Sequence, residues 1–147
     1  MQHFGEFVVK HWDLFLALFV ILGLIISRSF GGRMRGYGEV DPVEAVQKMN
    51  HEEAVLVDVR EDNEYRDGHV VDSIHIPLGS LGSRVESLEK YREKPIIVAC
   101  RSGARSARAC ATLRKEGFEQ VFNLRGGVMA WQSAKLPLNK GGKKRKR

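Results

Sequence analysis

Two short apolar runs limit the fold of this chain more than any other feature. AVLVDV (54–59) and PIIVAC (95–100) are continuous rather than alternating, and rich in valine and isoleucine. A strand with one wet face alternates polar and apolar residues, so a continuous run reads as a strand covered on both faces. Helical patterns lie around them. Asp41-Pro42 opens DPVEAVQKMN with an N-cap acid and proline at the first helical position, and Val43, Val46 and Met49 follow at helical spacing. Residues 61–67 are polar and helix-compatible, ending at Gly68, and SIHIP (73–77) is a brief strand stopped by proline. A helix is predicted over 80–91, with Leu81, Val85 and Leu88 on one side. Another follows over 105–116, ended by Gly117, then a strand at VFNL (121–124) and a last short helix in GGVMAWQSA (126–134). Strands alternating with helices predict an α/β fold with a central parallel sheet flanked by helices on both faces.

A length of 147 residues allows one ordinary domain and an appendage. The net charge of +6 is misleading, because six of the 24 basic residues sit in the last eight, KGGKKRKR. The remaining 18 match the 18 acidic residues, so the body is near neutral and offers no basic face for nucleic acid. Cys100 and Cys110 are the only cysteines. With one at a strand end and the other more than a turn up the next helix, a Cα separation beyond ~7 Å is expected, which disfavours a disulfide. Reduced thiols in a cytosolic compartment follow.

The N-terminal segment differs in kind. LFLALFVILGLII (14–26) is thirteen apolar or glycine residues without a break. With its flanks it reaches the short end of the ~17–25 residues that span a bilayer. A signal peptide or a core helix is the competing reading. Only Lys10 precedes the run, balanced by Glu6 and Asp13, whereas Arg28, Arg33 and Arg35 follow it and no small-residue cleavage site does. Trp12 stands where an interfacial anchor belongs. These flanks predict an uncleaved transmembrane anchor over 1–28, with the N-terminus outside and the body in the cytoplasm. A Gly-rich, basic linker is expected over 29–38, the globular domain over 39–138 and a basic disordered tail over 139–147. Localisation at the cytoplasmic membrane, single-pass, is the corresponding expectation.

Function in open parallel sheets gathers at the C-terminal ends of strands, and Cys100 lies at such an end. The chain leaves the strand there and enters a helix within about five residues, through Arg101, Ser102, Gly103, Ala104 and Arg105. Such a turn aims backbone N–H groups at the sulfur as an anion-binding nest, and the helix N-terminus adds partial positive charge. Together with Arg101 and Arg105, these favour thiolate over thiol. Gly103 relieves the steric demand at the tightest point. A buried small residue followed by a surface turn is the bland alternative.

The segment CRSGARSARACATLRKEGFEQVFNLRGGVMAW resembles the second half of a rhodanese domain, and VLVDVREDNEYRDGHVVDSIHIP resembles the first half. The resemblance covers about residues 39–137 and is to a single-domain, thiosulfate sulfurtransferase-like rhodanese of bacterial type, here preceded by one transmembrane helix. It implies that Cys100 takes sulfane sulfur from thiosulfate or a similar donor as a persulfide and passes it to a thiol or protein acceptor. No cofactor and no metal are implied. Arg101, Ser102, Gly103, Ala104 and Arg105 are then expected to bind the donor anion and the persulfide. The tyrosine phosphatases and their rhodanese-like relatives carry C-x5-R. Here Cys100 to Arg105 is C-x4-R and the phosphatase position holds Ser106, so a phosphatase or arsenate reductase is disfavoured.

Asp58 and Arg60 end the first buried strand at the same sheet edge. They are read as a salt bridge or loop support, with Arg60 also a residue that could face the pocket and the donor. Glu64 could pair with an arginine. His69 and His75 match a family stretch with a structural role, since two histidines alone do not make a metal site. Gly126-Gly127 turn the chain into the last helix, and Trp131 caps the core. Asp72 replaces a glycine common in the family and tolerates a left-handed conformation. Cys110 reads as a helix core residue. A rhodanese domain does not need a membrane, so the anchor points to a membrane-bound partner, and the rival function is an interaction module that binds a membrane protein. The basic tail either lies on the anionic inner leaflet or is a solubilising end.

Overall fold

A computed structural model describes residues 9–31 and 36–141, with side chains through residue 26 in the first stretch. The chain divides into two compact units, Met1–Arg35 and Gly36–Arg147. The first contains helix α1 (Trp12–Gly31). Helical backbone therefore runs into the expected linker, of which residues 32–35 lie outside the described residues. Among the described residues no helix is long and apolar enough to cross a membrane. The expected transmembrane helix is thus not supported by the described residues, and the physical reason is the length of the apolar run. The thirteen residues of 14–26 rise about 20 Å at ~1.5 Å each, against a hydrocarbon core of ~30 Å. Their side chains are nonetheless bare, with Leu14, Leu18, Phe19 and Ile21 each more than half exposed.

The second unit is built on a five-stranded parallel sheet. Its strands are β1 (Gly38–Val40), β2 (Val55–Asp58), β4 (Ile74–His75), β5 (Ile96–Ala99) and β6 (Val121–Leu124), in the order β1-β6-β5-β2-β4. The two strongest apolar runs thus lie side by side at the centre. Val57, Val98 and Asn123 share one level across three strands, and Asp58 is level with Ala99. The ends of β2 and β5 therefore reach the same edge of the sheet, next to each other.

Helices cover both faces. On one, Val57, Ile96, Val98 and Cys100 pack with Leu81, Leu88, Ala109, Cys110 and Leu113. These last five come from α4 (Leu78–Arg84), the 3-10 helix Val85–Tyr91 and α5 (Ala104–Lys115). On the other face, Leu56, Ile97 and Ala99 pack with Ala45 of α2 (Pro42–His51) and Trp131 of α6 (Gly127–Ser133). Each buried strand is apolar at successive residues because odd and even positions enter different cores.

Local chemistry matches these elements. Asp41 caps α2 by accepting the Glu44 N–H at 2.9 Å, with Pro42 at the first turn. The expected helix over 80–91 is divided into α4 and the 3-10 segment, yet Leu81, Val85 and Leu88 remain buried together. Gly79 and Gly82 lower helix propensity in α4. Asp72 sits at φ +58°, in the left-handed region. A small antiparallel pair, β3 (His69–Val70) with β7 (Leu138–Asn139), was not expected. It places Asn139, the first residue of the expected tail, in a strand. Residues 142–147 lie outside the described residues.

Candidate active site

Cys100 follows the last residue of β5, and α5 begins four residues later, at Ala104. Gly103 caps that helix at φ +104°, a conformation that strains any residue with a side chain. The turn folds the backbone back over the sulfur, so the Gly103 N–H donates to Cys100 Sγ at 3.0 Å. The Ser106 hydroxyl approaches the same sulfur at 3.3 Å. Burial pushes the Cys100 thiol up. The Ser106 hydroxyl and the backbone N–H groups of Ser106, Gly103 and Ser102 outweigh it and hold the thiol below its ordinary value. Cys100 is fully buried, so its sulfur forms the floor of the loop.

Ser106 is itself held. Its hydroxyl lies 2.6 Å from Asn123 Oδ1, while Asn123 Nδ2 donates to the Gly103 carbonyl at 3.2 Å. The bond to that carbonyl turns Asn123 Oδ1 toward Ser106, so the one hydroxyl proton of Ser106 is shared between Asn123 Oδ1 and Cys100 Sγ. Asn123 thereby ties the neighbouring strand, the loop and the sulfur's side-chain donor together. Sequence reasoning placed neither Ser106 nor Asn123 in the site. The available signal was a polar residue at a buried position of VFNL, where an unpartnered amide would be costly.

The start of α6 grips the loop from the other side. Val128 N–H donates to the Cys100 carbonyl at 2.8 Å, and Met129 N–H to the Arg101 carbonyl at 3.2 Å. Gly126 and Gly127 both have positive φ. A Cβ at Gly127 would meet the Cys100 carbonyl oxygen at 2.3 Å, closer than any side chain tolerates. The paired glycines are therefore a requirement for docking α6 on the Cys100 loop.

The end of β2 supplies charge. Arg60 donates to Asp58 through Nε at 3.0 Å and Nη2 at 2.7 Å, and to the Gly68 carbonyl at 2.7 Å. Its guanidinium is thus committed within the protein, although it lines the cleft beside the loop. Arg105 is committed as well. Glu64, from α3 (Asp62–Asp67), receives its fork at 2.7 and 2.8 Å. Hydrogen bonding from Arg105 holds the Glu64 carboxyl down at about 2, against burial and with help from the Glu61 N–H. The rings of His69 and His75 both stack on Tyr65 of this helix, at centroid distances of 3.9 and 4.2 Å. Arg101 is exposed, and its side chain has no ion pair among the described residues.

Ser102 and Ala104 are exposed on the outer side of the loop. A cleft of about 430 Å³ opens beside it, lined by Arg60, Glu64, Asp67, Arg101, Met129 and Gln132 among others. Among the described residues no cluster of three or more histidine, cysteine or carboxylate side chains is arranged to hold a metal ion. Cys110, on α5, is free and fully buried, and burial pushes its thiol up.

The family model for the rhodanese-like domain matches residues 41–134. The chain belongs to the rhodanese family. It is 34% identical to the uncharacterized protein YibN of Escherichia coli strain K12 over 142 residues, covering 96% of this chain and 99% of that one. It is 37% identical to a sulfurtransferase of Allochromatium vinosum, covering 68% and 92% of the two chains. Among solved structures, a rhodanese-related protein from Thermoplasma volcanium superposes with a TM-score of 0.64 at 28% identity, covering 70% of this chain and 98% of that one. The relatives named as sulfurtransferases support sulfur transfer as the function at the level of the family. The match contains the whole rhodanese loop from Cys100 to Arg105.

Proposed function

We propose that this rhodanese moves sulfane sulfur, from thiosulfate or a similar donor to a thiol or protein acceptor, through a persulfide on Cys100. The observation that carries the reading is the Cys100 sulfur itself, with the Gly103 N–H at 3.0 Å and the Ser106 hydroxyl at 3.3 Å. These donors favour the thiolate, which attacks the outer sulfur of the donor. With thiosulfate, the S–S bond breaks, its electron pair leaves on sulfite, and the outer sulfur remains on Cys100. The persulfide is an anion at the mouth of a ring of N–H groups and a helix N-terminus, which stabilise it without a metal or cofactor. The acceptor thiolate then attacks the outer sulfur and Cys100 leaves as thiolate. Arg101, exposed and unpaired among the described residues, is the cation placed to meet an anionic donor.

Intact-protein mass spectrometry of the full chain tests this directly, before and after incubation with a sulfane donor. The expected result is a gain of one sulfur, reversed by cyanide and absent from Cys100→Ser. No gain with any sulfane donor would leave a rhodanese fold acting as an interaction module.

The reading extends to location. We propose attachment to the cytoplasmic membrane through α1, single-pass, with the N-terminus outside, the rhodanese domain in the cytoplasm and a membrane-bound partner. The exposed apolar side chains over 14–26 support it, because such a surface needs a cover. A span requires the flanking residues to complete the length that 14–26 lack. Carbonate extraction of cells and labelling of an N-terminal cysteine from outside test the two parts. Release of the protein by carbonate would remove the attachment, and failure to label would remove the orientation.

A further inference from the structure

The charged groups that line the cleft, Arg60, Glu64, Asp67 and Arg101, cancel, and so do their partners Asp58 and Arg105 behind them. Arg60 is paired with Asp58, and Arg105 with Glu64, through two-pronged hydrogen bonds. Arg101 and Asp67 remain, one of each sign. Three guanidinium groups near the cysteine are thus balanced by three carboxylates. A dianion entering this cleft gains no net attraction, and the best-placed anion fork in the loop is already filled.

Glu64 is built to stay in that position. Its Oε2 accepts both the Glu61 N–H at 3.1 Å and Arg105 Nη1 at 2.7 Å, and its Oε1 accepts Arg105 Nη2 at 2.8 Å. The first bond belongs to a capping box at the start of α3, so the carboxylate is fixed from its own helix. Helix α3 is in turn held by Tyr65, whose hydroxyl donates to the Ser73 carbonyl at 2.8 Å. An anion seeking Arg105 must displace a carboxylate with three good donors. A cleft of about 430 Å³ also has room for far more than a four-oxygen-sized anion.

We propose that Glu64 determines donor selectivity: by occupying both prongs of Arg105 it disfavours dianionic donors such as thiosulfate, and leaves the Cys100 loop to sulfane sulfur carried on a thiol persulfide. The inference rests on the persulfide reading of Cys100. In the favoured step the Cys100 thiolate attacks the outer sulfur of R–S–SH. The S–S bond breaks, R–S⁻ leaves with its electron pair, and Cys100–S–SH forms. That persulfide then loses its proton to solvent and turns its charge toward the loop N–H groups. No other oxidant or reductant is needed. Glu64 acts through Arg105 and is a positioning residue.

The test is the rate of sulfur gain on the full chain, read by intact mass, with thiosulfate and with the persulfide of 2-mercaptoethanol, an uncharged thiol. The readout is the ratio of the two rates. Glu64→Gln keeps the shape and the capping bond and removes the charge. It is expected to raise the thiosulfate-to-persulfide ratio about tenfold at low salt, as befits one negative charge removed within roughly 6 Å of a dianion in a wet site. The gain should shrink toward unity at about 1 M salt. Arg105→Gln, which leaves Glu64 unpaired, is expected to move the ratio by about tenfold in the opposite direction. If both donors load the wild type but neither variant changes the ratio, or the change ignores salt, Glu64 is a structural residue and the selectivity proposal fails alone. Failure of both donors to load the wild type would remove the persulfide reading and this inference together.

Discussion

The loop that ends β5 and the helix that follows it each bury a cysteine completely, and the two thiols are driven in opposite directions. Around Cys100, the cost of burying a charge is outweighed by hydrogen bonds from the Ser106 hydroxyl and from loop N–H groups, and the thiol falls below its ordinary value. Around Cys110, burial dominates and the nearby Cys100 charge adds to it, with little opposing, so the thiol rises. Burial alone is therefore no guide to reactivity. What separates the two sites is backbone geometry: a helix interior has already used its N–H groups in i to i−4 bonds, whereas a loop entering a helix has donors to aim.

The largest effect that would break this comparison concerns the cysteines themselves. Cys100→Ser should reduce sulfur loading by at least about 10³-fold. Cys110→Ala should leave the rate within about twofold and lower stability by about 1 kcal/mol for a small core void. A large loss of loading in Cys110→Ala, by intact mass, would make the second thiol a participant.

A smaller but still large effect is expected from the glycine against which the loop rests. Gly127→Ala places a Cβ 2.3 Å from the Cys100 carbonyl oxygen, at a position with φ +60°. A loss of about 2–4 kcal/mol by denaturant unfolding is expected, together with loading reduced by tenfold or more as the donors lose their aim. Near-wild-type stability in this variant would show that α6 does not hold the loop.

The finest test is by pH. Because Cys100 is held below its ordinary value, loading should rise with pH and level off below the ~8.5 of a free thiol. Removing a donor to the thiolate raises its pKa, so Ser106→Ala should move the rise upward by about one unit. At pH well below both pKa values that is about a tenfold slower rate, and the two proteins should converge well above the shifted value. An unchanged profile would assign the lowered thiol to the backbone alone.

Much of this was legible before the fold was seen. PIIVAC reads as a buried strand because it is a short, β-branched apolar run bounded by turn residues, and its six residues are all buried. Asp72 at a left-handed position was foreseen from its chemistry. Other parts were not legible. The pairing of Arg105 with Glu64 joins residues 41 positions apart, and Asn123 reaches the loop from a neighbouring strand. Neither distance is encoded in a local pattern. The hydrophobic run over 14–26 illustrates the converse: its composition is plain, but the length that would make it a span is not reached within the described residues.

The amino-acid sequence by itself determined the order of the main strands and helices, the two-faced core and the place of the candidate sulfur nucleophile. Periodicity and turn chemistry act over a few residues and survive without knowledge of the rest. Only the tertiary structure decided which charges face that atom. In the sequence Arg101 and Arg105 read as an anion trap, while Asp58 and Arg60 read as a salt bridge and Glu64 as the partner of an unspecified arginine. Folding brings Glu64 to Arg105, because the ends of β2 and β5 share one edge of the sheet, and with the local Asp58–Arg60 pair this leaves a nearly neutral cleft beside a thiolate-prone sulfur.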